Sequence, residues 1–308
     1  MNSSRRNFIK SSAVALAGAS LYGLYGCTGG RKNGGEMFFN ISLAQWSLHK
    51  MLFANELTNL DFPLFAKNEF GITAVEYVNA FFKDKAKDQA YLSDLKSRTE
   101  NEGIENVLIM IDGEGQLGNS DEAERKKAVE NHYKWIEAAN FLGCHSIRVN
   151  AAGEGDKAAL KDQVVKSLSE LCTFSGDYNV NVIVENHGGY SSNGEWLADT
   201  ISTVGMSNCG TLPDFGNFTI DREKDVKFDR YRGMELLMPY AKGVSAKCYD
   251  FNEAGNETTI DFEKMLNIVQ SAGYNGYIGI EYEGSRLTEV EGVKAAKELL
   301  LKVGAKVS

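Results

Sequence analysis

Apolar, strand-like runs recur along this chain at intervals of about 28 to 40 residues, and a helical pattern separates each from the next. The first run spans Phe38 to Leu48 and the second Ile72 to Phe82; a third, IENVLIM, precedes Asp112 and a pair of glycines. Between them lie amphipathic segments with recognisable stops, such as Asp121 to Leu142 followed by Gly143. A fully apolar run of strand length belongs to a strand covered on both faces, and a strand–helix–strand repeat returns each strand parallel to the last. Eight such units within one composition regime predict a single α/β domain over residues 38–308, a (β/α)8 TIM barrel. A doubly wound open sheet is the alternative. It would place a glycine-rich dinucleotide loop after its first strand, where this chain has AQWSLHKM.

In a barrel the carboxyl ends of the strands carry the chemistry. The fifth run, NVNVIVENHGGY, ends in Glu185, Asn186 and His187 before a Gly-Gly break. Side chains alternate along a strand, so Glu185 and His187 share a face and Asn186 takes the other. The sixth strand offers Asp214, the seventh Lys247, and the eighth Glu281 with Glu283 on the same face. Earlier ends contribute Gln45, Trp46, Glu76, Asp112, Arg148 and Asn150. Three carboxylates converging from strands five, six and eight cannot all stay ionised without a positive partner. Two partners answer that need: a divalent cation on oxygen ligands (Mn, Mg or Co, or Zn if His187 joins), or Arg148 and Lys247 as a salt-bridge network.

The remaining candidates have two readings each. Trp46 is a sugar-stacking platform or core; Arg148 binds a hydroxyl-rich or anionic substrate or makes an ion pair. Lys247 stabilises an oxyanion or balances Glu281, and Asn217 and Glu76 are hydroxyl contacts. His132, in a charged helix, is expected on the surface. Cys144, Cys172, Cys209 and Cys248 show no CxxC spacing and read as small buried side chains.

VENHGG, LPDFGN, VSAKCYD and GIEYEG, in that order, resemble the xylose isomerase-like sugar isomerase/epimerase family, which also contains the endonuclease IV-like barrels. The resemblance covers most of residues 40–303. It implies a divalent metal held by Glu, Asp, His and Glu from strands five to eight, and Glu185, Asp214 and Glu281 match three of these. The strand-seven histidine is absent: Ser245 stands in its place, leaving His187, Ser245 or water as the fourth ligand. The chemistry implied is isomerisation or epimerisation of a sugar or keto-sugar. Glu185 and Glu281 would transfer the proton through an enediolate, while His187, Lys247, Arg148, Trp46 and Asn217 bind substrate. Loss of a β-hydroxyl from the same intermediate would instead give a lyase or dehydratase.

The first 26 residues stand apart. SRRNFIK, Ser4 to Lys10, resembles a twin-arginine export signal, and the apolar stretch after it ends in LYGC, which resembles a lipobox with Cys27 as lipid acceptor. Residues 27–37, rich in Gly, read as a flexible tether. The expectation is an exported, envelope-located protein touching the membrane through its N-terminal lipid only. Without residues 1–26 the chain keeps 30 Lys+Arg against 42 Asp+Glu, so its surface repels polyphosphate and nucleic acid is excluded as a partner. That balance and only four histidines argue against an endonuclease, which needs a histidine-rich metal cluster and a basic groove. A non-catalytic sugar-binding lipoprotein is the third reading. The missing histidine favours it, and the two glutamates oppose it.

Overall fold

The computed structural model describes residues 37–308. The twin-arginine, lipobox and most of the tether readings therefore lie outside the described residues. Eight parallel strands form one curled sheet: β1 (Asn40–Ala44), β2 (Ala74–Val78), β3 (Glu105–Met110), β4 (Ser146–Val149), β5 (Asn181–Glu185), β6 (Cys209–Leu212), β9 (Val244–Cys248) and β10 (Tyr277–Tyr282). A hairpin, β7 (Thr219–Asp221) and β8 (Val226–Lys227), sits between the sixth and seventh barrel strands. The sheet order β6-β5-β4-β3-β2-β1-β10-β9 leaves β6 and β9 as its two ends. Single bridges join them, Thr211 to Ala241 and Asp214 to Ser245, with Phe215 N–H donating to the Ser245 carbonyl at 3.0 Å. The barrel closes at the seam that carries Asp214.

The helices are α1 (His49–Phe53), α2 (Phe62–Phe70), α3 (Gln89–Asn101), α4 (Glu122–Leu142), α5 (Lys157–Gly176), α6 (Gly194–Val204), α7 (Arg230–Leu237), α8 (Phe262–Ser271) and α9 (Glu289–Val307). From α3 on, every one opens on a side-chain cap: Asp88, Asp121, Asp156, Asn193, Asp229, Asp261 and, with a full capping box, Thr288. Each satisfies an otherwise orphaned N–H and contributes about 1 kcal/mol. Gly143 ends α4 in the left-handed region, φ 83°, as its position predicts.

Two strands stop short of their apolar runs, for one physical reason. β1 ends at Ala44 because Ser47 takes over its pairing with β10: its hydroxyl donates to the Ile280 carbonyl (3.0 Å) and accepts from Tyr282 N–H (2.9 Å). β2 ends at Val78 because the Asn79 amide meets both backbone groups of Asp112, each at 2.9 Å. A side chain that replaces a ladder residue frees its own backbone to turn, and 3-10 turns follow at Gln45–Leu48 and Asn79–Lys85.

His132 is a correction. It is buried on α4, with Nδ1 2.7 Å from the Ala128 carbonyl, on the helix face shared with Ala128, Val129, Trp135 and Ile136. That i, i+3, i+4 set packs inward although the helix as a whole is charged. The four described cysteines are buried and unpaired.

Glu76 lies inside the barrel, 1% exposed. Gly279 on β10 makes room for it, since a Cβ there would fall 2.5 Å from Glu76 Oε1. The Ser42 hydroxyl donates to Oε1 at 2.6 Å, while Oε2 has no partner. Burial pushes its carboxyl up to about 8, against the Ser42 bond and with help from Glu281 and Glu185. The folded protein thus holds a proton that an unfolded chain, near 4.5, releases. This contribution to stability is fully present below about pH 4.5 and is lost as pH rises towards 8. Glu76→Gln should remove that dependence, the gap in urea stability between variant and parent changing by up to about 1.4 kcal/mol per pH unit. Parallel stability–pH curves would contradict the assignment.

Candidate active site

Alternation along the strands and the register between them assemble the site. Lys247 pairs with Glu281 across β9 and β10, and β4 places Arg148 beside β5. Carboxylate oxygens of Glu185, Asp214 and Glu281 lie within 4.8 Å of one another, and all three residues are buried. The strand-end reading of these three residues therefore describes one cluster.

Its positive groups are equally enclosed. Arg148 Nη1 donates to Asp112 Oδ1 at 2.8 Å, which turns Nε to within 2.9 Å of Glu185 Oε2. That approach is close but misaligned, so neither Nε nor Oε2 has a hydrogen bond. Lys247 Nζ stands 3.3 Å from Glu281 Oε1, 3.5 Å from Glu283 Oε2 and 4.0 Å from Asp214 Oδ2. Gly216 makes its place: a Cβ there would meet Lys247 Cγ and Cδ at 3.1 Å. Asn217 links the two halves, donating to Glu185 Oε1 at 3.0 Å and lying 3.3 Å from Lys247 Nζ through its own Oδ1.

Ser245 Oγ lies 2.7 Å from Asp214 Oδ2 and 2.8 Å from Glu281 Oε2. A hydroxyl donates only once, so the second contact needs a proton on a carboxyl or a cation among the oxygens. Burial pushes Asp214 up to about 7, against the pull of Lys247, and Glu185 up to about 7, against Arg148. Burial pushes Glu281 up too, but Lys247, Ser245 and Arg148 together hold it below the ordinary range. The residues present fit a divalent cation on two counts: three carboxylates within reach of one ion, and the buried, unbonded Glu185 Oε2.

At the rim Trp46 is half-buried and His187 exposed. Partial desolvation, then Arg148 and Lys247, lowers the His187 pKa. The Trp46 indole N–H donates to Glu283 Oε1 at 2.6 Å. His49 stacks on its ring at 4.8 Å, with Phe53 and Phe81 beside it. One face of Trp46 is therefore already covered. An open groove of about 710 Å³, lined by Tyr231, Asn256, Glu257 and Lys302 among others, lies away from the strand-end site, and its Lys302 is bonded to Asn256.

Asn186 is the residue the sequence reading passed over. Fully buried, its side chain accepts from Asp214 N–H (2.7 Å) and donates to the carbonyls of Asp214 (3.0 Å) and Asn217 (3.1 Å). It does for Asp214 what Asn79 does for Asp112. The signal was its alternate position beside Glu185; the role depends on the neighbouring strand's backbone.

A family model described as "Xylose isomerase-like TIM barrel" matches residues 66–303. The IOLI protein with a bound zinc atom superposes with a TM-score of 0.68 at 16% identity, covering 88% of this chain and 99% of that one. A D-tagatose 3-epimerase-like protein superposes with a TM-score of 0.65 at 19% identity, over 88% and 100% of the two chains. The C-glycoside deglycosidase alpha subunit of Arthrobacter globiformis is 35% identical over 54 residues, 18% of this chain and only 15% of that protein.

Proposed function

The chain belongs to the xylose isomerase-like TIM barrel family, and on that premise we propose that it is a divalent-metal-dependent isomerase or epimerase of a sugar or keto-sugar. The observation that carries the reading is the buried cluster of Glu185, Asp214 and Glu281 faced by Lys247 and Arg148. A metal held by the three carboxylates would polarise a substrate carbonyl and acidify the C–H beside it. Glu281, kept ionised by Lys247, Ser245 and Arg148, takes that proton. Glu185, raised by burial to about 7, returns one, and the choice of carbon decides between epimer and isomer. Lys247 steadies the oxyanion of the enediolate, Arg148 orients Glu185, and Asn217, His187 and Trp46 contact substrate hydroxyls and ring. The epimerase-like neighbour supports the substrate class.

The test is metal content followed by turnover. Protein purified without chelator should carry one Mn²⁺, Mg²⁺, Co²⁺ or Zn²⁺ per chain, interconvert a ketose or keto-glycoside, and lose this reversibly with EDTA. Neither metal uptake nor conversion would leave the sugar-binding reading, which Ser245 in the histidine's place favours.

Export and lipid anchoring through Cys27 belong to the same proposal, resting on SRRNFIK and LYGC. Among the described residues no helix is long and apolar enough to cross a membrane. Detergent-phase partitioning should be lost in Cys27→Ser; a variant that partitions like the parent contradicts the anchor.

A further inference from the structure

We propose that Ser245 and Lys247, two residues apart on β9, make this an oxygen-only metal site with its own competing cation, one that holds a hard divalent ion loosely and has little preference for zinc. The inference rests on the metal reading above and concerns which ion the site takes.

The donors are three carboxylates and one hydroxyl. Ser245 Oγ sits between Asp214 Oδ2 and Glu281 Oε2, at 2.7 and 2.8 Å, 1% exposed. It is the neutral donor nearest the carboxylates, and it is oxygen. Imidazole and thiolate favour zinc and the later transition metals, whereas carboxylate, hydroxyl and water suit Mg²⁺ and Mn²⁺. His187, the one imidazole at this strand end, stands two residues beyond Glu185 and is exposed at the rim. Lys247 adds the second property. Its ammonium lies 3.3 Å from Glu281 Oε1 and 4.0 Å from Asp214 Oδ2, so an ion on those carboxylates shares them with a fixed positive charge. Repulsion between two cations in a buried site is poorly screened and lowers affinity for every divalent ion alike. The lysine is built in: Gly216 leaves the space its stem occupies, and burial encloses it.

The two residues have separable signatures. Calorimetric titration of metal-stripped protein with MnCl₂, MgCl₂ and ZnCl₂ should give Zn²⁺ and Mn²⁺ affinities within about tenfold of each other. Ser245→His should raise the Zn²⁺:Mn²⁺ ratio by at least ~10-fold, the usual scale of a ligand-shell change. Ser245→Cys, nearly isosteric, should raise it too and give a sulfur-to-cobalt absorption band with Co²⁺, which covers a histidine variant that fails to fold. Lys247→Met should tighten all three ions by about 10-fold and leave the ratio unmoved. Binding with a ratio that neither Ser245 variant changes overturns the inference while sparing the metal site. Failure of parent and all variants to bind any of the ions at millimolar concentration overturns the metal reading itself.

Discussion

Glu185→Gln and Glu281→Gln should each lower turnover by ~10² or more, the usual loss for an acid–base group, with the fold intact. Glutamine keeps the volume and one oxygen donor and removes the basic group, so the loss should fall on kcat more than on KM. The structure gives the two residues different environments. Glu281 is held ionised beside Lys247 and Ser245, and Glu185 is lifted to about 7 between Arg148 and Asn217. A pair pushed apart in this way supplies a base and an acid at one pH. Asp214→Asn should differ in kind. Asp214 is fixed by Asn186 and Ser245, and the proposed mechanism gives it no proton-transfer role, so its loss should appear as weaker metal binding that excess metal partly rescues. Either glutamine variant retaining turnover within threefold of the parent would remove that glutamate from the proposed pair.

Arg148→Met should destabilise the barrel by about 3 kcal/mol, the scale for removing one partner of a buried ion pair. Arg148 is 4% exposed and is the cation facing both Asp112 and Glu185. Methionine fills much of the space but leaves Glu185, with Oε2 already unbonded, without its nearest compensating charge. The double variant Arg148→Met/Glu185→Gln should recover part of the loss, because it no longer buries that charge. Urea midpoints measure both effects. A single variant within 1 kcal/mol of the parent would show that the cluster needs no fixed cation at this point.

What was legible in the sequence follows from periodicity. The spacing of apolar runs is a property of the chain itself, so the eight strand–helix units appear in it directly. Once the strands are placed, period two sends Glu185, Asp214, Lys247 and Glu281 to one end of one barrel, and the register of β9 on β10 brings Lys247 beside Glu281. The residues that went unread act through a neighbour's backbone. Ser47, Asn79 and Asn186 each bond both main-chain polar groups of an adjacent strand or loop. No local pattern marks such a residue, because its partner is about 30 to 235 positions away. The same substitutions explain why β1 and β2 end before their apolar runs do. His132 was misplaced for a related reason: the helix's average charge concealed which face looked inward. The choice between metal site and salt-bridge network was not decidable from residue types, and the structure shows why: Arg148 and Lys247 do lie against the carboxylates, yet Glu185 Oε2 is still left unbonded.

The central claim is that Glu281 and Glu185 move a proton at the carbon beside a sugar carbonyl. Solvent-deuterium incorporation at that carbon, followed by NMR in D₂O with metal-loaded protein and a turned-over keto-sugar, tests it most directly. The account predicts exchange by the parent, with exchange abolished in both glutamine variants while they still bind metal. Undiminished exchange in both variants, or conversion by the parent without any incorporation of deuterium, would contradict it.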